Sequence, residues 1–205
     1  MRDLVILGTD VHALEMAEIV ERTNRLAPTW RLRGYLTTDP GKVGQELNGY
    51  PVLGTQETLD QLPEACFVPA YGEGWSLPAP RERLVSLVDP GAWLSRTARI
   101  GLGSVIYPGC FVGLNARIGD YLFCLSGCII NHDVVIEDRV VMASGVSLAG
   151  GVHVEADCYL GQASTCREGA RIGRGSLIGM GAVVVRDVPP HSVMVGNPAR
   201  KLRDR

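Results

Sequence analysis

The sequence predicts two architectures in tandem, a small α/β unit with a parallel sheet and then a parallel β-helix of hexapeptide repeats. Three observations carry this. From Val88 to Val184 an apolar residue recurs at every sixth position without a slip, through Leu94, Ile100, Ile106, Val112, Ile118, Cys124, Ile130, Ile136, Met142, Leu148, Val154, Leu160, Cys166, Ile172 and Ile178. A small side chain often follows four places later (Ala98, Ser104, Cys110, Ala116, Ser164, Ala170, Ser176, Ala182), and glycine is frequent at the third place, where a corner needs positive φ. Ahead of the repeat, strand-like and helix-like segments alternate. Neither a helical period of about 3.6 nor a strand period of about 2 produces a period of six, whereas stacked coils sharing one core do.

In chain order, Asp3 to Leu7 predicts a buried strand, Gly8 a turn, and His12 to Glu21 a helix whose Ala13, Met16, Ala17 and Val20 share one side. Arg31 to Thr37 predicts a second strand, and Tyr50 to Leu53 a short apolar run. Thr55 to Leu62 reads as a brief helix opened by a threonine cap, Ala65 to Pro69 as a third strand, and Pro80 to Leu87 as a third helix. Alternation of this kind predicts a Rossmann-like unit over residues 1–87. The repeat occupies residues 88–188, entered near Asp89-Pro90-Gly91. Pro189-Pro190 stops it, leaving residues 189–205 as a basic tail.

Composition narrows the function classes. A net charge of −2 leaves no basic footprint for nucleic acid and no polybasic tract for a membrane. The apolar run Leu4 to Leu7 is too short for a signal-peptide core or a spanning helix, so a cytoplasmic protein is expected. Six cysteines form no C-x-x-C pair, and five fall in repeat slots where a thiol acts as a small hydrophobe. His132 and His153 do not stack at the coil spacing, and no convergent ligand set predicts a metal.

Over nearly its whole length the chain resembles the sugar acetyltransferases of the sialic-acid O-acetyltransferase and bacillosamine N-acetyltransferase type. The resemblance is carried by Val5-Ile6-Leu7-Gly8 with His12, by Asn131-His132-Asp133, and by Pro189-Pro190 with Val195-Gly196-Asn197-Pro198-Ala199-Arg200. It implies a left-handed coil, a homotrimer, acetyl-CoA as donor and a sugar, or nucleotide-linked amino sugar, as acceptor. The general rule for parallel crossovers would have predicted the opposite hand.

Three hexads make one coil, so residues eighteen apart stack. The outward columns then read Val105, Phe123, Val141, Tyr159, Leu177; Trp93, Phe111, Ile129, Ser147, Thr165, Val183; and Arg99, Arg117, Val135, His153, Arg171. The first two look covered and the third wet, and a trimer contact through Phe123, Val141 and Tyr159 is expected.

His132 stands at a corner, two places after Ile130, beneath Ala149-Gly150-Gly151 one coil on. An acyl transfer needs a base for the acceptor proton and a donor for the oxyanion. An imidazole beside a bare glycine N–H supplies both, with Asp133 to orient the ring. By resemblance, Val141, Ser144, Ala149, Gln162 and Met180 fall at coenzyme positions, with Arg200 and Lys201 for its phosphates and Asn131 beside the acceptor. Relatives can carry a second histidine where this chain has Val141.

The acceptor loop departs from the family. Gly8-Thr9-Asp10-Val11-His12 keeps the first glycine and the histidine but loses the glycines between, and Thr37 and Thr38 stand where relatives often place acids. Asp10 suits a helix cap and also puts negative charge where a pyrophosphate would lie. A second reading stays open: a catalytically silent trimeric β-helix that binds or scaffolds.

Overall fold

The structure is a computed structural model describing residues 1–205. It divides into two compact units, Met1–Pro90 with Leu102–Val105, and Gly91–Gly101 with Ile106–Arg205.

The first unit is a five-stranded sheet. Strands β1 (Arg2–Leu7), β2 (Trp30–Leu36), β3 (Glu46–Leu47), β4 (Tyr50–Gly54) and β5 (Cys66–Pro69) lie in the order β3-β4-β2-β1-β5. The β4-β2-β1-β5 pairings are parallel, and β3 adds antiparallel to β4. Leu4 to Leu7 are fully buried, as are Phe67 and Val68 of β5, which explains why both strands read as unbroken apolar runs. Gly34 of β2 has φ +141°, and a Cβ there would lie 2.1 Å from the Pro51 carbonyl oxygen, so only glycine lets β4 approach.

One α-helix forms where three helices were expected. It is α1 (Val11–Leu26), six residues longer than the expected His12 to Glu21, and it buries Ala13, Met16, Ala17, Ile19 and Val20. Asp10 caps it, accepting the Ala13 N–H at 3.0 Å. The expected second helix is a 3₁₀ segment, Gln56–Gln61, whose Thr55 makes no side-chain cap bond. Pro63 follows closely, and so short a run cannot repay helix nucleation by itself. The expected third helix reduces to Arg81–Arg83, because Leu84 bridges to Phe67 and the Val85 N–H donates to the Phe67 carbonyl. Pairing with β5 overrides the local helical pattern. A further 3₁₀ turn, Glu73–Ser76, was not foreseen.

The second unit is a parallel β-solenoid of two-residue strands. Its columns repeat at eighteen residues without a register shift: Phe111 pairs with Ile129 and Ile129 with Ser147, Arg117 with Val135 and Val135 with His153, and Val141 with Tyr159. Every anchor from Ile106 to Val184 is buried, each contributing about 1.5–3 kcal/mol by leaving water. Corner residues at the third place adopt the left-handed conformation, for example Gly127 at φ 72° and Asp133 at φ 59°.

Two surface expectations change. Phe123 and Val141 are buried within the single chain at 1% and 5% exposure, with Tyr107 packed edge-on against Phe123, so neither forms a free face. The exposed apolar stripe is instead Trp93, Phe111 and Ile129, at 54%, 37% and 42%, with the Trp93 and Phe111 rings stacked 4.6 Å apart. The tail is a hairpin rather than a loose basic end: Arg200–Asp204 runs antiparallel to Ser192–Val195, which extends the column of Leu177–Ile178.

Candidate active site

The centre of the candidate site is a relay of three corner side chains. Asn115 and Asp133 are eighteen residues apart and so stack in adjacent coils, and both corners demand positive φ (58° and 59°). Asparagine and aspartate tolerate that backbone better than other non-glycine residues. The Asn115 Nδ2 donates to Asp133 Oδ1 at 3.1 Å, and the other carboxylate oxygen lies 2.9 Å from His132 Nδ1. The imidazole beside it, and then the Asn115 amide, hold the Asp133 carboxyl below its usual 3.8. An ionised carboxylate only accepts, so Nδ1 carries the ring proton and Nε2 presents its lone pair.

Gly150 completes the arrangement. A Cβ there would stand 2.6 Å from His132 Cε1 and 2.7 Å from Nε2, so the ring occupies the space a side chain would take. The neighbouring amides are committed, Gly151 to the His132 carbonyl at 3.0 Å and Ala149 to the Cys166 carbonyl at 3.1 Å. The Gly150 N–H has no such partner. Asn131 turns back into the coil, donating from Nδ2 to the Leu148 carbonyl at 2.8 Å.

The proposed coenzyme positions separate into groups. Ser144, Gln162 and Met180 line one cleft of about 550 Å³, together with Tyr159, Leu177 and Val195. Its walls are largely apolar, and Met180 is 81% exposed at its edge. Arg200 and Lys201 instead line a separate hollow of about 170 Å³ with Arg186 and Asp187. Lys201 pairs with Asp204 at 2.6 Å, which takes up its charge. Val141 is buried, and Ala149 is half-buried beside Gly150.

Within the first unit, the residues after β1 and β2 converge on an unforeseen partner, Glu73. Its carboxylate accepts the Thr9 N–H at 2.9 Å, the Thr9 hydroxyl at 2.8 Å and the Thr38 N–H at 2.6 Å, as well as the hydroxyls of Thr37 and Thr38. Lys42 Nζ donates to the Thr9 hydroxyl at 3.0 Å. Burial would raise the Glu73 pKa, but the bonds from Thr37, Thr38 and Thr9 outweigh it and bring it to about 2. Gly8 has φ +112°, Val11 is exposed at the first position of α1, and His12 Nδ1 lies 3.3 Å from Glu15.

All six cysteines are unbridged and buried, and burial pushes the Cys158 and Cys166 thiols up to about 11 and about 12. Cys110, Cys124 and Cys128 bring their sulfurs within 4.8 Å of one another, a convergence the spacing does contain, since Cys110 and Cys128 are eighteen apart. The Cys110 and Cys128 thiols already donate to the Leu125 and Ala143 carbonyls, both at 3.2 Å.

Among solved structures the chain is similar over nearly its whole length to sugar N-acetyltransferases. The acetyltransferase domain of PglB from Neisseria gonorrhoeae FA1090, in complex with acetyl coenzyme A, is 25% identical and superposes with a TM-score of 0.85 over 98% of this chain and 99% of that one. PerB from Caulobacter crescentus, in complex with CoA and GDP-perosamine, is 26% identical with a TM-score of 0.81 over 98% and 97%. WeeI from Acinetobacter baumannii AYE is 25% identical at 0.81. By sequence, a Staphylococcus aureus (strain COL) protein named as an acetyltransferase is 44% identical over 55 residues, and a chloramphenicol acetyltransferase from Escherichia coli is 37% identical over 57. Those stretches span 28% and 27% of the relatives' own lengths. No family model matches the chain. No helix is long and apolar enough to cross a membrane.

Proposed function

We propose that this protein transfers an acetyl group from acetyl-CoA to an amino or hydroxyl group of a sugar, with His132 as general base. The observation that carries the proposal is the Asn115–Asp133–His132 relay set against Gly150, whose N–H has no other partner. The acceptor attacks the thioester carbonyl while His132 Nε2 takes its proton. The Gly150 N–H receives the developing oxyanion, and the imidazolium formed is stabilised by Asp133. Collapse of the tetrahedral species expels the coenzyme thiolate, which recovers the proton. The apolar cleft beside Ser144, Gln162 and Met180 suits a pantetheine arm. Likeness to proteins solved with acetyl coenzyme A and with CoA and GDP-perosamine supports this reading over a silent scaffold.

Three finer readings belong with it. The N-terminal unit is Rossmann-like: its parallel strands run third, second, first, fourth in chain order, the order at one end of a doubly wound sheet. The coil is left-handed, on the likeness alone. Six unbridged cysteines suit a reducing, cytoplasmic setting.

Coenzyme A tests the donor site directly, because a ligand of the native state must raise Tm. At about a hundredfold excess over Kd the gain is about 2.7 kcal/mol, or roughly 5–10 °C for a chain of this size. A flat melting curve at millimolar coenzyme A, together with no acetylation across a panel of free and nucleotide-linked amino sugars, would retire the proposal.

We also infer a homotrimer, in which the stripe of Trp93, Phe111 and Ile129 is covered by a neighbouring copy. Trp93→Glu is expected to shift the light-scattering mass towards monomer. A wild type that already runs as a monomer at micromolar concentration would remove the trimer from the proposal.

A further inference from the structure

In an open parallel sheet, ligands are received in the crevice beyond the carboxyl ends of the strands. Here the crevice at the ends of β1 and β2 offers two backbone N–H groups, from Thr9 and Thr38, and the hydroxyls of Thr9, Thr37 and Thr38. Lys42 stands behind the Thr9 hydroxyl. That is a donor set suited to a phosphate or carboxylate group. The chain's own carboxylate occupies all of it.

The segment carrying Glu73 is pressed against the sheet. A Cβ at Gly74 would lie 2.1 Å from the Leu7 carbonyl oxygen, and one at Gly8 would lie 3.2 Å from Ala70 Cβ and 3.3 Å from the Gly74 nitrogen. Backbone meets backbone at this turn, which leaves Glu73 little freedom to withdraw. Asp10, at the head of α1, adds a second negative charge, and a Cβ at Gly72 would be 3.5 Å from its Oδ2. Next to the nest opens a cleft of about 550 Å³ lined by Thr37, Thr38, Thr55, Gln56, Glu57 and Asp60, with no lysine or arginine in its wall. Hydroxyls, an amide and carboxylates suit a polyhydroxy or amine-bearing ligand, while a diphosphate would meet the charges of Glu73, Glu57 and Asp60 with Lys42, at the Thr9 hydroxyl, as the cation beside it.

We propose that Glu73 is a specificity-determining residue, an internal anion that keeps diphosphates out of the β1–β2 crevice and reserves the N-terminal unit for uncharged or amine-bearing sugars. Its consequence for the acceptor rests on the acetyltransferase reading above, but the exclusion itself does not. The carboxylate stays ionised far below neutral pH, so the exclusion holds across the working range.

The test is calorimetric titration of the full chain with inorganic pyrophosphate, UDP and GDP, no acetyl donor being present. Wild type should give no saturable binding up to about 1 mM, and Glu73→Ala should bind pyrophosphate at least about tenfold more tightly. Glu73→Gln, which keeps the side-chain shape and one accepting oxygen while removing the charge, should gain several-fold. It carries the test if circular dichroism shows the alanine variant unfolded. Wild-type binding of any of the three below about 100 μM, or a folded variant that binds no better than wild type, would overturn the proposal. If the titrations come out as expected and no sugar is acetylated, the acetyltransferase reading fails while Glu73 keeps its role.

Discussion

Replacing His132 with alanine is expected to lower kcat by roughly a hundred- to ten-thousand-fold, the usual range for losing a general base. Affinity for coenzyme A should change by less than about threefold, because the corner imidazole is a small part of so long a contact. The loss should be greater for a hydroxyl acceptor than for an amine, since an unprotonated amine can attack before its proton leaves. Asp133→Asn should cost less: asparagine can still hold the ring through the 2.9 Å contact but cannot balance the imidazolium charge. With its pKa lowered by His132, Asp133 is ionised throughout the working range and adds no inflection to the activity profile above its usual 3.8. If His132→Ala retains more than about a third of wild-type turnover at saturating substrates, far outside that range, the base lies elsewhere.

Gly150→Ala is expected to abolish activity nearly as completely while leaving the fold intact. The new methyl would stand 2.6 Å from the imidazole, so the ring must move. It can move cheaply, because the His132 side chain is 61% exposed and Gly150 has no left-handed φ to forbid alanine. Although Gly150 is buried, its added methyl meets only that movable ring, so stability should shift by no more than about 1 kcal/mol and Tm by about 2–4 °C. The displaced ring loses its bond to Asp133 and its place beside the Gly150 N–H. The double variant His132→Ala, Gly150→Ala should then be scarcely worse than His132→Ala alone, since both remove one function. A folded Gly150→Ala enzyme keeping more than about a tenth of its rate would show that this placement of the ring is not required.

Much of the site was legible because the solenoid is nearly one-dimensional. The eighteen-residue register follows from the hexad period, so His132 beneath Gly150 could be located by counting. Asn115 was equally within reach, one coil below Asp133 in the same positive-φ slot. Glu73 was not. It meets Thr9 and Thr38 across sequence separations of 64 and 35, through a short 3₁₀ turn that no periodicity marks. Asp10 was legible as a helix cap, and it does cap α1, but the carboxylate that fills the donor set after β1 and β2 comes from Glu73.

What the sequence by itself determined is the repeat: its period, its inward anchors and its glycine corners, because each coil makes the same local demand and one stacking register satisfies all of them. It also determined the parallel strands β1 and β5, whose buried apolar runs have no other use. Only the tertiary structure decided the rest. Two expected helices gave way to 3₁₀ turns because pairing between Leu84 and Phe67 and the nearby Pro63 outweighed weak local propensity. Phe123 and Val141 proved buried while Trp93 and Phe111 stayed exposed, since what covers an outward side chain depends on residues far away in sequence. Alternation along a strand says which residues leave the coil. It does not say what they meet.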